Sequence, residues 1–236
     1  MQHQPLFLLL LPLIGLTACG TGRSADVKQS TIEQSYELTY NEATSQLRAS
    51  ASFHYENTLG TSLKLTEGST ISFNGTPMKY NNPLNAASYQ LEMQMLRTPV
   101  LPMEFRYVNN DGEVFVTQAR VPSPTVIQLP QEGEIVRSDR ELAVLMQGDP
   151  LIKGDELTLC LNYRPTVATA EDPSVQECLH STGFLRLVFS REQLARFPRG
   201  QELTLEIKRE SHPTQDNSRI HLEETFLSKP LSITLQ

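Results

Sequence analysis

From residue 36 onward, apolar and polar residues alternate with period two over one short segment after another, which is the pattern of strands with one buried and one wet face. Tyr36, Leu38 and Tyr40 share a face. Leu47, Ala49, Ala51, Phe53 and Tyr55 share another, with Arg48, Ser50, Ser52 and His54 opposite. The pairs Leu63 with Leu65 and Ile71 with Phe73 follow, then Tyr89, Leu91, Met93 and Met95, then Met103, Phe105 and Tyr107, then Val114 and Val116. Turn signals separate them: Asn74-Gly75, the strongest hairpin dipeptide in the chain, the loop Asn81-Asn82-Pro83, and Asn110-Asp111-Gly112. About seven short strands with turns at this spacing predict a β-sandwich.

Pro122, Pro124 and Pro130 crowd into the stretch 121–133, predicting a semi-rigid linker. Alternation restarts with Leu142, Val144 and Met146, and continues with Leu157, Leu159 and Leu161, which turns Thr158, Cys160 and Asn162 outward. Leu185, Leu187 and Phe189 form the next strand. Ser190 with Gln193 three residues on predicts a capping box and one or two helical turns stopped by Pro198. Leu203, Leu205 and Ile207 alternate next, and strands near 220–226 and 231–235 close the chain. Lys153-Gly154-Asp155-Glu156-Leu157-Thr158-Leu159 is echoed by Arg199-Gly200-Gln201-Glu202-Leu203-Thr204-Leu205, two similar turns leading into strands within one sandwich. The whole pattern resembles bacterial immunoglobulin-like domains. The expected fold is all-β, with two tandem immunoglobulin-like β-sandwich domains over 36–130 and 131–236.

Composition narrows the partners. The net charge of −7 is divided as −2 from Cys19 to Pro130 (8 basic, 10 acidic) and −5 from Gln131 onward (12 basic, 17 acidic). No basic face is implied, which argues against nucleic acid. Tryptophan is absent, which argues mildly against a carbohydrate platform.

The amino-terminal stretch supplies an address. An apolar run from Leu6 to Leu16 is too short for a spanning helix, which needs roughly 20 residues, and ends in Leu16-Thr17-Ala18-Cys19. A short apolar core, small residues and then a cysteine resemble the lipobox of bacterial lipoproteins. The leader departs from that family in having no Lys or Arg before the apolar run. The resemblance implies that residues 1–18 are a cleaved signal and that Cys19 carries lipid. With Gly20 and not aspartate after the cysteine, it implies anchoring in the outer membrane, facing the periplasm or the cell surface. Residues 19–35 are small and polar and read as a flexible tether.

Candidate chemistry is sparse. Cys160 and Cys178 are the thiols left once Cys19 is assigned, and an oxidising exported compartment predicts a disulfide between them, with a zinc or redox role as the other reading. Met93 and Met95, with Met78 and Met103 nearby, read as core packing more readily than as a copper site. His221 and Glu223 share a strand face and could hold a metal with Glu224 or His212. No Gly-x-Ser-x-Gly elbow is present. Tyr80, beside Asn81 and Asn82, is the tyrosine expected to be exposed, and with Asn74, Asn110 and Asp111 on the hairpin turns it forms the candidate binding surface. The expected function is a non-catalytic, lipid-anchored binding or scaffolding module for another envelope or surface protein, with no cofactor. The alternative is a lipid-anchored metal-dependent hydrolase or metal-binding protein.

Overall fold

The computed structural model describes residues 21–83, 86–165 and 173–236. The first half contributes β1 (Gly22–Arg23), β2 (Ile32–Asn41), β3 (Gln46–Tyr55), β4 (Leu63–Lys64), β5 (Thr70–Phe73), β6 (Thr76–Pro77), β7 (Lys79–Asn81), β8 (Ser88–Gln94), β9 (Met103–Val108) and β10 (Val114–Ala119). The second contributes β11 (Val126–Leu129), β12 (Glu134–Val136), β13 (Leu142–Gln147), β14 (Asp155–Tyr163), β15 (Val175–Ser181), β16 (Arg186–Phe189), α1 (Arg191–Leu194), β17 (Glu202–Ser211), β18 (Ile220–Leu227) and β19 (Leu231–Leu235). The fold is all-β. One hydrophobic core lies between a sheet containing β18-β2-β3-β8-β7 and the opposed sheet β10-β9-β5-β6, and a second is built from β12, β19, β17, β14 and β15 opposed by β11-β13-β16.

The alternation maps onto these layers. Leu47, Ala49, Ala51 and Phe53 are buried on β3, and Leu157, Leu159 and Leu161 on β14. Tyr36 stacks on Phe105 across the first core with ring centroids 4.7 Å apart, a geometry that adds to the area term. Met78 and Met103 are buried in this core, with Met93 and Met95 packed against it. The capping box forms as expected: Ser190 accepts the N–H of Gln193, whose side chain accepts the N–H of Ser190. The glycines of the echoed turns, Gly154 and Gly200, have φ of 96° and 72°, a region in which glycine alone is unstrained. The two strands they start, β14 and β17, are antiparallel neighbours with Leu159 opposite Ile207 and Leu161 opposite Leu205.

Two features are not what periodicity predicts. Chain order places β18 in the second half, yet Leu222 and Phe226 pack in the first core. β18 pairs in parallel with all but the start of β2, Ile220 opposite Gln34 through Leu227 opposite Asn41. The bridge is β17, whose first half pairs with β19 and whose last four residues pair with β18, so a single ten-stranded sheet runs through both cores among the described residues. Secondly, the expected tether is ordered from Gly22. β1 pairs with β4, Ser24 is fully buried and accepts the N–H of Thr66 at 2.9 Å, and β2 begins at Ile32 ahead of the expected Tyr36. Polar side chains hold this strap: Gln29 donates to the carbonyls of Ser24 and Val27.

Where β17 crosses between the cores, the inner face of the sheet turns polar. Asp155, Ser211 and Glu224 lie in one transverse row on β14, β17 and β18. Arg209 donates to Asp155 at 2.7 Å and to the carbonyls of Asp149 and Pro150. Glu224 accepts the backbone N–H of Arg120 at 2.6 Å, tying β18 to the segment that leads out of β10. Burial pushes the Glu224 carboxyl up to about 7, against the smaller opposing effect of the Arg120 hydrogen bond. A carboxyl held above its ordinary value stabilises the fold fully below about 4.5, and that contribution is lost as pH rises through about 7. Glu224→Gln keeps an acceptor for the Arg120 N–H and removes the charge. Urea unfolding is expected to find the variant more stable than the parent at pH 8 by on the order of 2 kcal/mol, and nearly equal at pH 4.5. Parallel pH profiles of the two chains would contradict this.

Candidate functional site

The candidate contact residues divide into those that hold the fold and those that face solvent. Asn74 and Gly75 take φ of 47° and 75° in the β5–β6 turn, and the Asn74 carboxamide oxygen accepts the N–H of Glu104 at 2.9 Å. Asn110 is used in the same way. Its N–H donates to Gln29 at 3.1 Å and its side chain donates to the carbonyl of Thr66, pinning the β9–β10 turn to the amino-terminal strap. The neighbouring Asn109 is buried and shapes that turn by accepting the N–H groups of Asp111 and Glu113. An asparagine ahead of Asp-Gly is suited to this Asx-turn role.

Tyr80, Asn81, Asn82 and Asp111 face solvent. Tyr80 is 39% exposed on the short edge strand β7, directly opposite Tyr89 with ring centroids 5.5 Å apart. The Lys64 ammonium stands 5.0 Å from the Tyr80 ring centroid, a cation–π arrangement. Tyr89 is itself fixed by donation from the N–H of Leu65 to its hydroxyl at 2.8 Å. The result is an aromatic ring held by its neighbours, flanked by Lys79 and Asn81, with its outer part in water. Asn74 and Asp111 lie toward opposite ends of the β5–β9 pair, since Phe73 is opposite Phe105 and Thr70 opposite Val108. The six residues therefore do not converge on one point, and Tyr80 with Lys64 is the compact part of the set.

The outer face of the long sheet is polar. His221 Nε2 lies 3.2 Å from the Glu33 carboxylate. Glu223 faces Glu210 and Glu37, and its carboxyl is raised first by burial and then by Glu210. Glu224 points to the inner face, toward Arg120. No group of three or more His, Cys, Asp or Glu among the described residues is arranged to hold a metal ion. On the same outer face Cys160 and Cys178 are directly opposite on β14 and β15 and form a disulfide. Beside them lies a cavity of about 390 Å³, lined by Ile207, Leu227 and Pro230 with Arg164, Lys208 and Glu206 on its rim. Arg164 lies 3.8 Å from Glu206 and Lys208 pairs with Glu210 at 2.5 Å, so the cations of this rim already have carboxylate partners.

Cys19 lies outside the described residues, and among those residues no helix is long and apolar enough to cross a membrane. No protein-family model and no curated protein matches the chain. Solved structures similar to it include fibronectin(III)-like modules of Clostridium thermocellum CbhA (8% identity, 84% of this chain and 87% of that chain, TM-score 0.26). DIP-gamma IG1+IG2 is similar at 12% identity over 86% of this chain and 95% of that one, with a TM-score of 0.22. The Yersinia pseudotuberculosis adhesin InvE is similar at 7% identity over 86% and 61%, with a TM-score of 0.21. Scores this low assign neither activity nor partner.

Proposed function

We propose that this protein is a lipid-anchored module of the bacterial envelope that binds or scaffolds another envelope protein without catalysis. The address rests on the lipobox-like Leu16-Thr17-Ala18-Cys19, which would leave the mature chain held in the outer membrane by acyl groups on Cys19. Several acyl chains at about 0.8 kcal/mol per buried methylene give anchoring that is effectively permanent. The observation that carries the contact reading is Tyr80, a large amphipathic ring presented at a sheet edge and immobilised by Tyr89 and Lys64. A ring already held in place loses little conformational entropy on binding, which is the property of an interface anchor. Asn81 and Asn82 beside it supply adaptable hydrogen bonds at its rim.

Crosslinking in the native envelope, followed by affinity measurement on the captured protein, tests both parts. Tyr80→Ala is expected to weaken capture by about 1–2 kcal/mol with little change in melting temperature, because the ring is partly exposed. Cys19→Ser is expected to release the chain from membranes or leave it unprocessed. Capture unaffected by Tyr80→Ala removes the contact reading, and identical fractionation of the Cys19→Ser chain removes the anchor.

A further inference from the structure

Sheet edges expose unpaired backbone groups, and folded chains blunt them with charge, proline, bulges or shortness. Nearly every edge of this molecule carries such a device. β6 is two residues long and contains Pro77, and β7 is three residues long and begins at Lys79. β11 has an irregular register between Ile127 and Leu129, β12 begins at Glu134, β15 carries Glu177 and His180, and β16 begins at Arg186. β10 has none of these. It terminates its sheet, runs six residues as Val-Phe-Val-Thr-Gln-Ala without charge or proline, and keeps unbroken register with β9 from Val114 opposite Val108 to Ala119 opposite Met103. Val114 and Val116 are 49% and 51% exposed. Beyond its pairing with β9, no backbone hydrogen bond is made within Val114–Ala119 among the described residues.

We propose that β10 is a self-association edge, pairing antiparallel with β10 of a second copy about a two-fold axis through Val116. Partners across an antiparallel pair share a face, so this register sets Val116 against Val116 of the second copy and Val114 against Gln118. On the inner face Phe115 meets Thr117. No like charges oppose each other anywhere in the strand. At each end the exposed Arg120 of one copy comes opposite Gly112 of the other, between the acidic residues Asp111 and Glu113, and symmetry repeats this match at the other end. The pairing converts two four-stranded sheets into one continuous sheet. It occupies the edge of the first sandwich opposite β6, and so leaves Tyr80 free.

The test uses the full chain in native membranes, with copper phenanthroline as oxidant. Val116→Cys is expected to give a disulfide-linked dimer, because the two sulfurs meet on the axis. Val114→Cys alone is expected to give none, and Val114→Cys coexpressed with Gln118→Cys is expected to give the mixed dimer. Cys160 and Cys178 are already joined, and the unsubstituted chain controls for Cys19. In detergent, Val116→Lys is expected to shift the sedimenting species from dimer to monomer, with an unfolding midpoint that no longer depends on protein concentration. A monomeric parent chain, or crosslinking at Val114 as fast as at Val116, overturns the proposal. Partner capture lost with Val116→Lys while the parent is monomeric would assign the edge to a different protein and overturn it as well. None of these outcomes depends on Tyr80, so the two surfaces are judged separately.

Discussion

Replacing Asp155 with alanine is expected to destabilise the protein by about 3–5 kcal/mol. The Asp155 carboxylate and the Arg209 guanidinium are 2.7 Å apart, with side chains 5% and 4% exposed, between the two cores. Arg209 also holds the carbonyls of Asp149 and Pro150, and its Nε has no hydrogen-bond partner among the described residues. Its hydrogen-bonding capacity is therefore incompletely met before any substitution. Without the carboxylate a buried cation remains with two neutral acceptors, and solvating it requires opening the junction. The N–H of Ile152 also donates to the Asp155 carboxylate, at 3.3 Å, so the Asp149–Asp155 turn loses that bond as well and keeps only the backbone bond from the Asp155 N–H to the Ile152 carbonyl. The double variant Asp155→Leu with Arg209→Met is expected to recover most of the loss, because removing both charges removes the desolvation problem together with the attraction. Urea unfolding of the three chains reads the result. A single-variant loss below about 1 kcal/mol would mean that water reaches the pair in solution, and that the junction is looser than its burial indicates.

The strands were legible in the sequence because their signal is local. An inward residue at every second position needs nothing beyond its own neighbours, so Leu47 through Phe53 and Leu157 through Leu161 could be placed on buried faces at once. The Asn74-Gly75 and Asn110-Asp111-Gly112 turns were legible for the same reason, since left-handed backbone has its own residue preferences. Tyr80 could be singled out because it alone among the early tyrosines adjoins an Asn-Asn-Pro loop. Partnership between distant strands is carried differently. Leu222 and Phe226 alternate as well as any residues of the second half, and alternation does not state which core they enter. The answer lies in the length of β17, ten residues shared between β19 and β18, which no short window contains. The amino-terminal strap was hidden for another reason. Ser24, Gln29, Thr66 and Asn110 hold it by side-chain hydrogen bonds over separations of up to 81 residues, and polar sequence of that kind reads as tether. The split roles of Asn74, Asn110 and Tyr80 could not be read from composition either, because residues suited to turns are also suited to contacts.

The insertion of β18 leads to the last prediction, that Phe226→Ala damages the first sandwich although residue 226 lies ten residues from the end of the chain. Phe226 is fully buried, and its ring stacks 6.4 Å from Tyr40 in the first core. Truncating a buried phenylalanine leaves a cavity and costs about 3–5 kcal/mol. The location of the damage distinguishes this arrangement from two independent tandem units. Hydrogen exchange is expected to lose protection along β2 and β3, where Tyr40 and Leu47 are paired. It is expected to change less in β13 and β16, which pack only in the second core. Leu235→Ala, a fully buried position in the second core, is expected to give the reverse pattern. A chain cut after residue 211 would lack β18 altogether, leaving the Leu38 and Tyr40 edge of β2 without its parallel partner and Glu224 absent from the Arg120 N–H. If Phe226→Ala left β2 and β3 protected as in the parent, β18 would not be part of the first sandwich in solution. If protection fell equally in both cores, the continuous sheet would unfold as one cooperative unit, and the junction at Asp155, Arg209 and Glu224 would be the place where the two cores are coupled.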